Sequence, residues 1–264
     1  MKILFFGDVV GKIGRKALAK VLPDIIKEHE PDFVLGNGEN LAHGIGFTED
    51  TVLELLDLGF NFLTSGNHVF DKEPGIEYLK KPDAKILRPA NFPSHDPGKG
   101  HVLLEVGTKR LLIINLLGQV FIEKDANCPF RELDTILEGY HEDDYDGMLI
   151  DFHAEATSEK EAMGFYADGR ASAVLGTHTH VGTCDEWILP MGTAYCSDVG
   201  MVGARESILG GEKEPILKRF LTKIPLHFEP PESGRVTINA VLIETDPQTK
   251  LAVHIKRIDQ LVEV

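Results

Sequence analysis

KILFFGD, from Lys2 to Asp8, is the stretch on which the fold turns. Its apolar run, Ile3 to Phe6, is too short for a signal peptide, and Gly7 and Asp8 end it. It reads as a buried first strand that delivers a polar group at its carboxyl end. Leu18, Val21, Leu22, Ile25 and Ile26 follow at helical spacing. The unit then recurs. Asp32–Leu35, Phe60–Thr64, Arg110–Leu116, Met148–Phe152 and Ala171–Gly176 read as further strands, and the later ones end just before polar residues. Thr48 suits a helix cap, with Glu49 and Asp50 in the first turn. The tail differs. Val236–Glu244 and Leu251–Ile258 read as paired strands joined by a turn around Asp246–Lys250. The pattern predicts βαβ units first and antiparallel strands late, in a layered α/β fold. Pro/Gly clusters at Phe92–Gly100 and Pro230–Gly234 read as loops, so one domain over 1–264 is expected.

Composition narrows the class. With 264 residues, 42% hydrophobic and 26% charged, the chain reads as soluble and globular with a core of its own. Cys128, Cys184 and Cys196 form no CxxC pair, which suits a reducing, cytoplasmic setting and argues against a thiolate zinc site. No window approaches a membrane span. The net charge is −15, from 27 basic and 42 acidic residues. Such a surface repels polyanions, which argues against long nucleic acid as a partner. A small phosphate substrate is compatible with it if bound metals dominate the local field.

Polar segments cluster at the predicted strand ends: Gly7-Asp8, Gly38-Glu39-Asn40, Gly66-Asn67-His68, Asp151-Phe152-His153 and Gly176-Thr177-His178-Thr179-His180. In open α/β sheets, ligands sit outside the carboxyl ends of strands. Asp, Glu, Asn and His carried there would converge on one place and could hold metal. Each has a plainer reading. Asp8 could cap the next helix, Glu39 and Asn40 could be turn residues, and His68 or His153 could be a hydrogen-bonded buried histidine. His178 and His180 are harder to dismiss, since residues two apart in an extended segment share a face and make a plausible metal clamp.

GNH at Gly66–His68 and GTHTH at Gly176–His180 resemble the signatures of the calcineurin-like metallophosphoesterases. GDVVG near the N-terminus, NGEN at Asn37–Asn40, RPANFP at Arg88–Pro93, DFHAEATSEK at Asp151–Lys160 and GRASAVLGTHTHV at Gly169–Val181 resemble the bacterial YmdB-like branch. The broad superfamily begins with DxH, whereas this chain has Asp8-Val9-Val10. It also has Glu39 where a bridging aspartate is usual, and Asn40 can replace the missing His through its amide oxygen.

The resemblance implies a four-layer α-β-β-α sandwich. It implies that Asp8, Asn40 and His180 bind one metal, that Asn67, His153 and His178 bind a second, and that Glu39 bridges both. It implies hydrolysis of 2′,3′- or 3′,5′-cyclic nucleotides, with His68 beside the site and not a ligand. Two such ions could hold a bridging hydroxide that attacks phosphorus, and an imidazole there makes His68 the candidate general acid. Two divalent or mixed-valence ions are expected, with iron first and manganese next; zinc and cobalt also suit mixed N/O ligands. The family likeness also implies some homo-oligomer. The residues leave a second reading open: a slow or vestigial phosphoesterase acting mainly as a regulatory nucleotide- or metal-binding protein. A Rossmann site fails, because GDVVGKIG lacks the second glycine of GxGxxG. Asn91, Glu155, Glu159 and Arg170 each admit a supporting role or a plain structural one. His43, His95, His101 and His141 receive no role.

Overall fold

The computed structural model describes residues 1–225 and 229–264. The chain opens with strands β1 (Lys2–Phe6) and β2 (Asp8–Val9), helix α1 (Gly11–His29), β3 (Phe33–Asn37), α2 (Glu49–Leu58), β4 (Phe62–Thr64) and α3 (Glu73–Leu79). A second run follows: β5 (His101–Val106), β6 (Lys109–Leu117), α4 (Pro129–Glu138), β7 (Gly147–His153), α5 (Thr157–Ala167) and β8 (Ala173–Thr177). The last part holds β9 (Trp187–Ile188), β10 (Ala194–Cys196), β11 (Met201–Ala204), α6 (Lys213–Thr222), β12 (Arg235–Ile238), β13 (Ala240–Thr245), β14 (Ala252–Arg257) and β15 (Gln260–Glu263).

Among the described residues three sheets result, in the orders β14-β13-β1-β3-β4, β5-β6-β7-β8-β10-β9 and β15-β12-β11-β2. Side-chain parity stacks them, because alternate residues of a strand face opposite ways. Ile3 and Phe5 of β1 pack with Phe33 and Leu35 against Ile113, Leu149 and Leu175 of the six-stranded sheet. Leu4 and Phe6 face the other way, onto Leu18 and Leu22 of α1 and Leu55 of α2. The outer face of the six-stranded sheet, with Ile114, Ile150 and Phe152, is covered by Leu133 of α4 and Met163 of α5. The order is helices, sheet, sheet, helices: the expected α-β-β-α sandwich, with the small third sheet also packed on α1. Leu149, fully buried between the sheets, tests this core. Leu149→Ala should cost about 2–5 kcal/mol in urea unfolding, through lost transfer energy plus the cavity left behind.

Most of the predicted elements are present, the βαβ segments being parallel and β13–β14 antiparallel. Thr48 caps α2 as expected: its hydroxyl accepts from Thr51 N, and its own N–H reaches Thr51 Oγ1. One reading needs correction. Val236–Glu244 is not a single strand but breaks at Asn239 into β12 and β13, which belong to different sheets. The first strand breaks in the same way at Gly7, between β1 and β2. The two breaks lie side by side, with Gly7 N–H donating to the Asn239 carbonyl at 3.1 Å. A Cβ at Gly7 would stand 2.0 Å from the Gly200 carbonyl oxygen, so only glycine lets the backbones cross there. Asp8 is the first residue past this crossing. Among the described residues, no helix is long and apolar enough to cross a membrane.

Candidate active site

The strand ends do converge. Asp8 follows β1, Glu39 and Asn40 follow β3, Asn67 and His68 follow β4, His153 ends β7, and His178 and His180 follow β8. Asp8, Glu39, Asn40 and His153 are all buried. Asp8 does not cap α1, whose cap position is Val10 without any side-chain bond. Its Oδ2 accepts from His178 N at 3.1 Å, and its Oδ1 is buried with no hydrogen-bond partner among the described residues.

His153 is the hub. Its Nε2 lies 3.1 Å from Glu39 Oε1, 3.1 Å from Asn67 Oδ1 and 3.0 Å from His178 Nδ1. The outer nitrogen carries one hydrogen at most, so it cannot satisfy three acceptors. His178 Nδ1 is an acceptor because its Nε2 lies 2.9 Å from Glu155 Oε2, the natural place for that ring's proton. On the far side, Thr177 Oγ1 donates to Asp151 Oδ1 at 2.7 Å. A hydroxyl has one proton, so Thr177 must accept from His153 Nδ1–H, 2.8 Å away. That fixes the ring with Nε2 turned to the cluster. His180 is held alike, its Nδ1 2.9 Å from the Leu209 carbonyl and its Nε2 3.7 Å from Asp8 Oδ1.

The donor set therefore fits metal. Ligand atoms of Glu39, His153 and His178 lie within 4.8 Å of one another. Ligands about 2.0–2.2 Å from a common ion and at right angles stand about 3 Å apart, which matches the spacings around Nε2. Glu39 reaches both halves of the cluster: Oε1 also accepts from Asn40 Nδ2 at 3.3 Å, and Asn40 Nδ2 lies 3.1 Å from His180 Nε2. Asn40 thus turns its amide nitrogen, not the expected oxygen, to the cluster. Ligation through oxygen requires the amide turned over, an exchange of two atoms of nearly equal size.

The electrostatics follow from burial and neighbours. Burial opposes charge on His153, but the Glu39 carboxylate and their hydrogen bond prevail and lift it to about 9. Burial also opposes charge on Glu39, yet attraction and a hydrogen bond from His153 hold its carboxyl well below the usual range. Burial, then the neighbouring His153, push His178 down to about 3, so it is neutral as a ligand must be. Burial, partly offset by His180, lifts Asp8 to about 6.

His68 stands at the edge. Its ring is about one-third exposed, its Nδ1 is 2.6 Å from Asp71 Oδ2, and its backbone N–H donates to Glu39 Oε2 at 3.1 Å. Gly66, in the same turn, has no room for a side chain: a Cβ would meet His153 Nε2 at 2.3 Å and Glu39 Oε2 at 2.5 Å.

The profile of the YmdB-like protein family matches residues 4–258. The chain belongs to the YmdB-like family. It is similar to a Bacillus subtilis (strain 168) protein named 2′,3′-cyclic-nucleotide 2′-phosphodiesterase, with 46% identity over 98% of this chain and 96% of the relative. A crystal structure of a hypothetical protein from Thermus thermophilus superposes with TM-score 0.91 and 41% identity, covering 99% of each chain. The calcineurin-like phosphoesterase YfkN of Bacillus subtilis shares the fold at 11% identity, with TM-score 0.57 over 100% of this chain and 90% of that one.

In this YmdB-like chain the predicted residues meet, but not all in the predicted way. His178 and His180 are not two neighbours on one strand face. The strand ends at Thr177, and both histidines take left-handed backbone angles, φ 100° and 62°. That conformation is costly for a side-chain-bearing residue. It sends His178 to His153 and His180 to Asn40 and Asp8. The turn is held from behind by groups the sequence did not single out. Thr179 donates to Asp198 Oδ2 through N at 3.1 Å and Oγ1 at 2.8 Å, and buried Lys160 Nζ reaches the same oxygen at 2.6 Å. Lys160→Met should cost about 3–5 kcal/mol in thermal or urea unfolding, because it leaves the buried Asp198 carboxylate unpaired. Glu155 orients His178, whereas Glu159 accepts from Gln119 N and Val120 N and shapes a loop. Asn91 is structural, bonded to Leu117 and Asn127, and Arg170 pairs with Asp134. Asp151 had a legible signal, since it alternates with His153 along an otherwise apolar strand.

Proposed function

We propose that this chain is a metal-dependent phosphoric diester hydrolase of one domain, acting in the cytoplasm on small cyclic nucleotides, 2′,3′-cyclic and/or 3′,5′-cyclic. The observation that carries this reading is the convergence of Glu39, Asn67 and His178 on one His153 nitrogen, with Glu39 also touching Asn40. The substrate class follows the name of the Bacillus subtilis relative.

Asp8, Asn40 and His180 would hold one ion, Asn67, His153 and His178 the other, and Glu39 would lie between. When bound, two such ions neutralise phosphoryl oxygens and make water a nucleophile near neutral pH. Iron suits the mixed N/O set first and manganese next, while zinc and cobalt are compatible. The chain supplies the rest. Thr177, Glu155 and the Leu209 carbonyl fix the three imidazoles, so no orientation has to be found during reaction. Asp71 accepts the Nδ1 proton of His68 and leaves Nε2 to deliver a proton to the departing oxygen. For a 2′,3′-cyclic substrate the P–O2′ bond breaks, water adds its oxygen to phosphorus, and the 2′-oxygen leaves with that proton. A nucleoside 3′-phosphate results.

The test is hydrolysis of 2′,3′-cyclic AMP and of bis-p-nitrophenyl phosphate. Turnover should vanish in EDTA and return with manganese or ferrous iron. Turnover that is absent with every divalent metal tried would favour the regulatory binding protein instead.

A further inference from the structure

A cavity of about 440 Å³ opens between the first turn of α1, the loop that follows Asn40 and the start of α3. Its ionisable lining is basic: Lys12, Arg15, His43 and Lys72, with Glu73 the one acid among the described residues that line it. The chain as a whole is the reverse, with 42 acidic residues against 27 basic ones. Arg15 is engaged, its Nε 2.6 Å from Glu54 Oε2 and its Nη1 donating to the Leu41 carbonyl. Lys12 and Lys72 pair with no carboxylate among the described residues, although both line the same cavity. The loop makes room for Lys72: a Cβ at Gly46 would stand 3.0 Å from the Lys72 Cγ.

Both walls lead back to the metal cluster. Gly11 N–H donates to the Asn40 carbonyl at 2.8 Å, which ties the turn carrying Lys12 to a proposed ligand. Lys72 directly follows Asp71, whose Oδ2 lies 2.6 Å from His68 Nδ1. In-line displacement puts the attacking and leaving oxygens on opposite sides of phosphorus. As the acid, His68 stands on the leaving side, so the ribose lies there and carries its 5′-oxygen the same way. Past His68 on that side come Asp71 and Lys72.

We propose that this cavity receives a phosphate carried on the 5′-oxygen of the ribose whose cyclic phosphate is hydrolysed. A nucleoside 5′-monophosphate and the last phosphodiester of a short oligoribonucleotide present that same group. Two lysines suit one phosphate; they cannot hold a long polyanion against a net charge of −15. The inference rests on the phosphodiesterase reading and names the substrates that reading would favour.

The test compares kcat/KM of the full chain with manganese on three substrates. They are 2′,3′-cyclic AMP, the same nucleotide bearing a 5′-phosphate, and the dinucleotide ApA ending in a 2′,3′-cyclic phosphate. A 5′-phosphate should raise kcat/KM by about tenfold, as two exposed ion pairs allow, and should act through KM. A gain confined to the monophosphate makes a terminal phosphate the ligand, and a gain with the dinucleotide makes it the end of an RNA. Lys12→Met and Lys72→Met should each shrink the ratio to 2′,3′-cyclic AMP, and together bring it near one, with melting temperatures at the wild-type value. Lys27→Met, the same change in the last turn of α1, should leave the ratio in place. Potassium chloride raised from about 0.01 M to about 1 M should shrink it, because the Debye length falls from about 30 Å to about 3 Å. Equal kcat/KM on all three substrates, or a ratio that survives the double substitution, overturns the proposal while hydrolysis of 2′,3′-cyclic AMP stands. Hydrolysis of none of them, with any divalent metal, overturns the phosphodiesterase reading and this inference with it.

Discussion

Glu39→Ala should strip the protein of metal and of hydrolysis together. Glu39 touches both halves of the cluster through its carboxylate, at His153 and at Asn40. Loss of even an outer partner of a ligand typically costs about 10–100-fold in metal affinity, so loss of the bridge should cost at least about 100-fold. Elemental analysis of wild type and variant after dialysis checks this, alongside cyclic-nucleotide hydrolysis. Near two metals per chain in wild type, with both metal and turnover falling in the variant, is the expected result. One metal or none in wild type, with turnover unmoved by the substitution, would remove Glu39 as the bridge and the two-ion reading with it.

His68→Ala should separate what Glu39→Ala joins. Among the contacts of its ring, the partner is Asp71, and its link to Glu39 is through the backbone, which alanine keeps. Metal content should therefore stay at the wild-type level while turnover falls by about 10²–10⁴-fold, the usual contribution of a general acid. The loss should be smaller for a substrate whose leaving group needs no proton, such as p-nitrophenolate. Loss of metal from this variant would make His68 a ligand and end its assignment as the acid.

How far the sequence carries depends on which contacts are local. Runs such as Lys2–Phe6 and Met148–Phe152 mark buried strands, and the polar residue after each marks its carboxyl end. Those facts suffice to bring Asp8, Glu39, Asn67 and His153 to one edge of the sheets. The break at Asn239 is not legible, because apolar alternation runs straight through Val236–Ile243 and only the crossing with Gly7 separates the two sheets. Nor is the turn at His178 and His180 legible. Extended spacing puts the rings on one face, whereas left-handed angles at both residues send them apart. Asp198 and Lys160, which hold that turn, are far from it along the chain, and each alone looks like any surface charge. Support of this kind is set by packing between distant segments, which residue spacing does not encode.

The pairing of β1 has a consequence on the ribosome. One neighbour of β1 is β3, made soon after it, but the other is β13, and Met1 bonds to Thr245, 244 residues away. At about 5–20 residues per second, that partner arrives roughly 10–50 s later. For that time a strand as apolar as Ile-Leu-Phe-Phe has one edge open, the condition under which chains pair with the wrong partner. Nascent chains of this protein should depend on a holdase until the last strands emerge. Messages cut before Ala240 should yield insoluble product even though every proposed metal ligand has already been made.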